Sequence, residues 1–240
     1  MSGATAVFFD AAGTLFDSRE PVGRVYARIA REFGLGATDE QVTAGFRRAF
    51  ANAGGLAFGP GHTAAELRRL EREWWHRLVR RSFDGLGAFT DFDSFFDRLF
   101  AHFANPANWR ADPEAVSTLM RLKSEGAIVG VISNFDYRLY RILDGLGVAK
   151  HLDSVTISSE AGYAKPDPAV FGVALAKHGL SPSAALHVGD VEQLDVIGAR
   201  AAGLMAVLFD PQQSHEVRSD VETIDSLATV PILWRSIQFA

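Results

Sequence analysis

Asp10, Asp190 and Asp195 are the side chains whose placement in this chain most suggests chemistry. Asp10 ends the apolar run Val7-Phe8-Phe9, and Asp190 ends Ala185-Leu186-His187-Val188-Gly189, with Asp195 just beyond. A buried parallel strand that stops at an aspartate delivers a carboxylate to the C-terminal edge of its sheet, where open α/β folds bind their ligands. Carboxylates gathered there suit Mg²⁺, a hard cation that takes one or two of them, keeps several waters and accepts phosphate oxygens. The same residues have a plainer reading, with Asp190 capping a following helix and Asp10 standing in a turn. Position alone leaves both open.

Other groups can complete such a site. Lys165 is one of four lysines, beside Lys123, Lys150 and Lys177, in a chain with 24 lysines and arginines. Its ammonium can neutralise clustered carboxylates or steady a transferring phosphoryl group. Thr14 and Ser133 offer hydroxyls and Asn134 an amide to phosphate oxygens, and the backbone N–H groups of Ala11 and Ala12 can join them as an anion nest. Glu160 and Asp167 are expected to orient Lys165 or its loop. His187, inside an apolar strand, reads as a satisfied core or interface histidine. Arg68, Arg69, Arg72, Arg77, Arg80 and Arg81 are interleaved with Glu66, Glu71, Glu73 and Asp84. That mixture predicts a solvated helix face laced with ion pairs.

Two kinds of element must position these groups. After the first strand, Val22, Val25, Tyr26, Ile29 and Phe33 follow helical spacing, as do Leu67, Leu70, Trp74 and Leu78, and then Phe92, Phe95, Phe96, Leu99, Phe100 and Phe103. Breaker clusters at Ala53-Gly54-Gly55 and Phe58-Gly59-Pro60-Gly61 separate them. Residues 18–105 therefore read as an all-helical insertion, with Asn105-Pro106-Ala107-Asn108 as the return linker. From residue 110 onward, helix signals near 113–125, 136–146, 168–178 and 192–202 alternate with strand signals near 127–132, 153–157, 185–188 and 204–208. This alternation predicts an α/β fold with a doubly wound parallel sheet built from residues 1–17 and 106–240. The tail from 211 carries no clear pattern.

Four segments resemble one family in their order. They are Asp10-Ala11-Ala12-Gly13-Thr14-Leu15, the strand-ending Ser133-Asn134, Ser159-Glu160-Ala161-Gly162-Tyr163-Ala164-Lys165-Pro166-Asp167-Pro168, and Gly189-Asp190 followed by Asp195 and Gly198-Ala199-Arg200-Ala201-Ala202-Gly203. They are similar to the motifs of the haloacid dehalogenase-like (HAD) hydrolases, and Glu73-Trp74-Trp75 and His187-Val188-Gly189-Asp190 resemble its REG-2-like or HDHD-type branch. The resemblance implies a Rossmann-like core with a helical C1 cap at 18–105. It makes Asp10 the nucleophile, places Thr14, Ser133, Asn134 and Lys165 in the catalytic site, and gives Mg²⁺ to Asp10, the Ala12 carbonyl, Asp190 and Asp195. It implies a small phosphorylated substrate. One departure matters: the family's second aspartate, its general acid/base, is Ala12 here.

That departure divides the possible reactions. Phosphomonoester hydrolases of the family normally carry the second aspartate. Haloacid dehalogenases lack it, and Asp10 to Asp17 match their opening motif except at Ala12, but they use no metal and lack the Gly-Asp pair kept here as Gly189-Asp190. Phosphonoacetaldehyde hydrolases need a cap lysine, and no lysine precedes Lys123. The expectation is a Mg²⁺-dependent phosphatase-type hydrolase with weak or unusual activity. A 2-haloacid dehalogenase and a non-catalytic homologue that binds a phospho-ligand or protein are the alternatives.

Composition sets the remaining bounds. With 240 residues, 48% of them hydrophobic and 22% charged, the chain can bury a sizeable core. A net charge of -5 offers no global basic field for nucleic acid. Cysteine is absent, which removes disulfides, thiolate metal sites and thiol nucleophiles. No apolar run approaches the ~18 residues of a membrane span, and Met1-Ser2-Gly3-Ala4-Thr5 lacks the basic start of a signal peptide, so the expected location is cytoplasmic and no membrane partner is expected. Oligomeric state has no signature in the sequence.

Overall fold

A computed structural model describes residues 5–213 and 220–238; Met1–Ala4, and with them most of the signal-peptide reading, lie outside these. The apolar runs form a six-stranded sheet of β1 (Ala6–Phe9), β4 (Ile128–Ser133), β5 (Ser154–Ile157), β6 (Ala185–Gly189), β7 (Met205–Phe209) and β8 (Thr223–Ile224). Its order is β5-β4-β1-β6-β7-β8, and every pair is parallel. Side chains alternate between two cores, as the strand period requires. Val7 and Phe9 of β1 join Leu119, Leu122, Ile142 and Trp234 on one face. Ala6 and Phe8 join Val170, Phe171 and Ala199 on the other. Helices α5 (Ala115–Ser124), α6 (Arg138–Gly145) and α10 (Val230–Gln238) thus cover one side, and α8 (Pro168–Ala176) and α9 (Gly198–Ala201) the other. The fold is the expected doubly wound α/β sheet.

Register places the chemistry. Phe9 pairs with Val131 on one side and Val188 on the other. Asp10, Ser133 and Asp190 therefore emerge side by side at the C-terminal edge. Chain order reverses at β1 between its neighbours β4 and β6, which is the crevice where such sheets bind ligands.

Four helices, α1 (Val22–Glu32), α2 (Asp39–Ala51), α3 (Ala64–Ser82) and α4 (Phe92–Phe103), stand between β1 and the rest of the sheet. They share a separate aromatic core that includes Tyr26, Phe83, Phe95, Phe96 and Phe100. Three of them follow the apolar spacing read from the sequence. The fourth, α2, shows instead through its capping box, in which the Thr38 hydroxyl accepts from Gln41 N–H and the Gln41 side chain accepts from Thr38 N–H. Both ends of this insertion are tied by a short antiparallel ribbon, β2 (Phe16–Ser18) with β3 (Trp109–Ala111). No sequence pattern announces that ribbon, because its three-residue strands are far apart in the chain.

Candidate active site

The residues predicted from strand ends meet. Oxygens of Asp10, Asp190 and Asp195 lie within 4.8 Å of one another. Lys165, only 4% exposed, bridges two of them, its Nζ 2.7 Å from Asp10 Oδ1 and 2.5 Å from Asp195 Oδ1. The close fit depends on two glycines. Gly13 has φ +95°, and a Cβ there would stand 2.3 Å from Asp190 Oδ2. A Cβ on Gly189 would stand 2.2 Å from Asp195 Cγ. Any side chain at either position would push a carboxylate out of the cluster.

The electrostatics show an excess of negative charge. Burial raises the Asp10 carboxyl above its ordinary range, and Asp195 adds to this while Lys165 opposes it. Asp190 is pushed up to about 7, first by burial and then by Asp10 and Asp195. Burial pulls the Lys165 ammonium down, but Asp10 and Asp195 outweigh it and hold the group above its usual value. Burial would raise Asp195 as well; Lys165 and His187 overcome that and hold it well below the carboxylate range.

Asp195 is fully engaged. Its Oδ1 also accepts from His187 Nε2 at 3.0 Å, and its Oδ2 from the Val191 N–H at 3.0 Å. His187 is 0% exposed, and burial lowers its pKa although Asp195 opposes this. It is the buried strand histidine expected from the sequence, but only half satisfied: Nε2 meets Asp195 and Nδ1 has no hydrogen-bond partner. Asp195 fixes Lys165 and the turn after β6 more than it offers a vacant oxygen.

The structure gives three of the expected side chains definite partners. Asn134 holds the Lys165 peptide from both sides, with Nδ2 donating to its carbonyl at 2.9 Å and Oδ1 accepting from its N–H at 2.7 Å. One amide N–H and one lone pair of its oxygen thus hold the lysine in position. Glu160, expected to orient Lys165, accepts from the Tyr140 hydroxyl instead. Asp167, expected to orient Lys165 or its loop, holds the end of that loop by capping α8, accepting from Ala169 N–H. The Asp-Pro pair at 167–168 is an N-cap signal that could have revealed this. Thr14 donates to Asp190 Oδ1 at 3.2 Å, and Ser133 lies buried at the end of β4.

A second buried cluster joins the insertion to the sheet, and the sequence reading missed it. Arg138 grips Asp136 through Nε at 2.8 Å and an Nη at 2.6 Å, and both residues are buried. Trp75 Nε1 of α3 donates to Asp136 at 2.6 Å. Glu71, assigned from sequence to a solvated face, is 1% exposed and accepts from Tyr137 N–H. The rest of that face does carry ion pairs, including Arg69 with Glu73 and Arg80 with Asp93.

Known proteins match this arrangement. The family model for haloacid dehalogenase-like hydrolases matches residues 4–203. The chain belongs to this family. It is 33% identical over 217 residues to haloacid dehalogenase-like hydrolase domain-containing protein 3 of Danio rerio, covering 90% of this chain and 88% of that one. A glyceraldehyde 3-phosphate phosphatase of Methanothermobacter thermautotrophicus is 36% identical over 114 residues, 47% of this chain and 50% of its own. A solved dehalogenase structure superposes with a TM-score of 0.68 at 25% identity, covering 96% of each chain. Family and fold are thereby shown; the reaction is a separate question. Among the described residues, no helix is long and apolar enough to cross a membrane.

Proposed function

We propose that this HAD-like hydrolase is a Mg²⁺-dependent phosphatase in which Asp10 is the nucleophile and the helical insertion serves as the cap. The carrying observation is the charge of the cluster: three carboxylates within 4.8 Å face one ammonium, and Asp190 is pushed up to about 7 by burial, with Asp10 and Asp195 adding to the rise. A divalent cation fits such an oxygen-only donor set. Asp10, Asp190 and the Ala12 carbonyl would hold it, with Asp195 behind them on Lys165. When bound, Mg²⁺ supplies positive charge against the phosphoryl oxygens.

The residues of the chain do the rest. Lys165 holds Asp10 ionised and oriented, so a carboxylate oxygen can attack phosphorus while the bond to the leaving oxygen breaks. The departing oxygen keeps the electron pair and takes a proton from water, since Ala12 has none to give. A second water then attacks the aspartyl-phosphate, releasing phosphate and restoring the Asp10 carboxylate. General acid–base help is worth roughly 10²–10⁴-fold, or about 3–5 kcal/mol of barrier. Its loss weighs most on alkyl phosphates, whose alkoxides leave poorly, and least on acyl and aryl phosphates.

The test is phosphate release from acetyl phosphate and 4-nitrophenyl phosphate, with Mg²⁺ and with chelator. Turnover should require the metal and vanish in Asp10→Asn. Ala12→Asp should raise glycerol phosphate turnover more than that of 4-nitrophenyl phosphate. Ala12 and the likeness to a dehalogenase favour a second reading, in which Asp10 displaces halide from a 2-haloacid. The surplus negative charge opposes an anionic substrate unaided by metal. Chelator-insensitive chloride release from 2-chloropropionate would establish that reading in place of ours.

A further inference from the structure

His187 stands in the middle of β6, paired with Phe8 of β1 and Ala206 of β7, and is buried. Its ring meets Phe171 of α8 edge-on at 5.2 Å. Phe8, Phe171 and Ala206 belong to one apolar core, and an apolar side chain at this position would serve its packing. The histidine instead leaves Nδ1 without a hydrogen-bond partner. A buried polar atom left unpaired destabilises a fold, so packing does not account for the residue.

The other ring nitrogen does. Nε2 lies 3.0 Å from Asp195 Oδ1. Asp195 is ion-paired with Lys165 and a carboxylate only accepts, so Nε2 donates. The Val191 N–H holds Oδ2 at 3.0 Å from the segment that follows β6. With a donor on each oxygen the plane of the carboxylate is fixed; with Val191 alone it can turn about that bond. Oδ1 is also the oxygen on which Lys165 Nζ rests, at 2.5 Å, while it reaches Asp10 Oδ1 at 2.7 Å. A lysine head on a flexible stem goes where its carboxylates hold it.

We infer that His187 is a positioning residue for the nucleophile. Its N–H fixes Asp195, Asp195 fixes Lys165, and Lys165 keeps an Asp10 oxygen aimed at phosphorus. This role rests on the phosphatase reading for the reaction of Asp10, whereas the chain of contacts stands without it. Orientation of the attacking carboxylate matters in the first step. In the second step that oxygen is already bonded to phosphorus, and water attacks. His187 therefore acts on formation of the aspartyl-phosphate and not on its breakdown.

His187→Leu removes the N–H, and His187→Gln returns one on a side chain of comparable reach. Rapid-quench measurement with acetyl phosphate and Mg²⁺ separates the two steps. Aspartyl-phosphate formation should slow by roughly 10–10²-fold in His187→Leu, the worth of a hydrogen bond to a charged group. KM and the breakdown rate should stay near wild type, and His187→Gln should recover most of the loss. A residue that only supports the fold would lower both steps together through the folded fraction, which melting curves report. Crystal structures give a readout without turnover: Lys165 Nζ should leave hydrogen-bond reach of Asp10 in His187→Leu and keep it in His187→Gln. If His187→Leu does not fold, His187→Met, equally without an N–H, takes its place. An unchanged formation rate in the apolar variant, or a loss that His187→Gln does not recover, overturns the inference and leaves the phosphatase reading standing. Wild type that forms no aspartyl-phosphate removes the phosphatase reading, and the Lys165–Asp10 contact in the variant structures then decides the positioning role alone.

Discussion

Two buried clusters of acids and cations stand near the C-terminal end of β4, and their charges close differently. In the first, Asp10, Asp190 and Asp195 gather around one ammonium, Lys165, beside the buried His187, whose pKa burial lowers. In the second, Asp136 and Arg138 pair one to one, and Glu71, pushed up to about 7 by burial, keeps its proton up to near neutrality. The first lies at the open edge of the sheet with negative charge left over. The second is buried between α3 and the start of α6, where Trp75 and Arg138 also line an apolar cavity. An unbalanced cluster invites a cation from solution; a balanced one excludes ions and holds two parts of the fold together. Asp190 and Glu71 are both pushed up to about 7, so what separates a ligand site from a joint is the rest of each cluster, two carboxylates (Asp10 and Asp195) on one ammonium against one carboxylate on one guanidinium, together with access at the sheet edge.

The largest test removes the lysine. Lys165→Met leaves three carboxylates facing one another without their cation. Stripping one partner from a buried ion pair costs about 3–5 kcal/mol, and turnover should fall by at least about 10³-fold with the orientation of Asp10 lost. Mg²⁺ should restore part of this stability, because an ion that binds only the folded state raises its melting temperature. A melting temperature in Lys165→Met that ignores millimolar Mg²⁺ would mean the cluster is no cation site.

Arg138→Met makes the matched cut in the second cluster. Asp136 would remain buried with the Trp75 and Arg138 N–H groups as partners, at a cost of about 3–4 kcal/mol. Mg²⁺ should give no relief here. Adding Asp136→Asn should recover much of the loss, since the stranded charge goes with it. Mg²⁺ rescue of the single variant, read by the same melting curves, would erase the distinction between the two clusters.

The two clusters also differ in how far the sequence reveals them. The first is legible because buried parallel strands are continuous apolar runs, and a run that stops at Asp10 or Asp190 places a carboxylate at a known edge. Parallel register then brings the ends together without further information. The joint has no such code. Glu71 sits among arginines and glutamates on α3 and looks like one more solvated charge; only the docking of α3 on Tyr137 buries it. Asp136 and Arg138 are two residues apart at the start of α6, which reads as ordinary polar sequence. Lys165 and Asn134 are both legible as site residues, but the bond between them is not, because a side chain clamping a distant peptide leaves no periodic trace. The same holds for the ribbon of β2 and β3, whose pairing depends on the whole insertion folding between them.

The smallest effect, and the one that probes the joint without cutting it, is Glu71→Gln. Glu71 is pushed up to about 7 by burial, with Asp136 and Glu160 adding to the rise, while Ser159 and the Tyr137 N–H pull it down. Its Oε2 has no hydrogen-bond partner. The unfolded chain releases this proton near pH ~4.3, whereas the folded protein keeps it to about 7. Between those values the folded state binds more protons than the unfolded one, so Glu71 stabilises the fold at low pH and that contribution fades as pH rises through 7. The full window is worth about 3–4 kcal/mol. Glutamine keeps the shape and cannot ionise, so the variant should lack this slope. Urea midpoints at pH 5 and pH 8 measure it: the variant should gain on wild type by about 1–3 kcal/mol between them. A difference between the two proteins that does not change with pH would show that Glu71 is ionised in the closed joint. The second cluster would then carry surplus negative charge as the first does, and charge balance would no longer tell them apart.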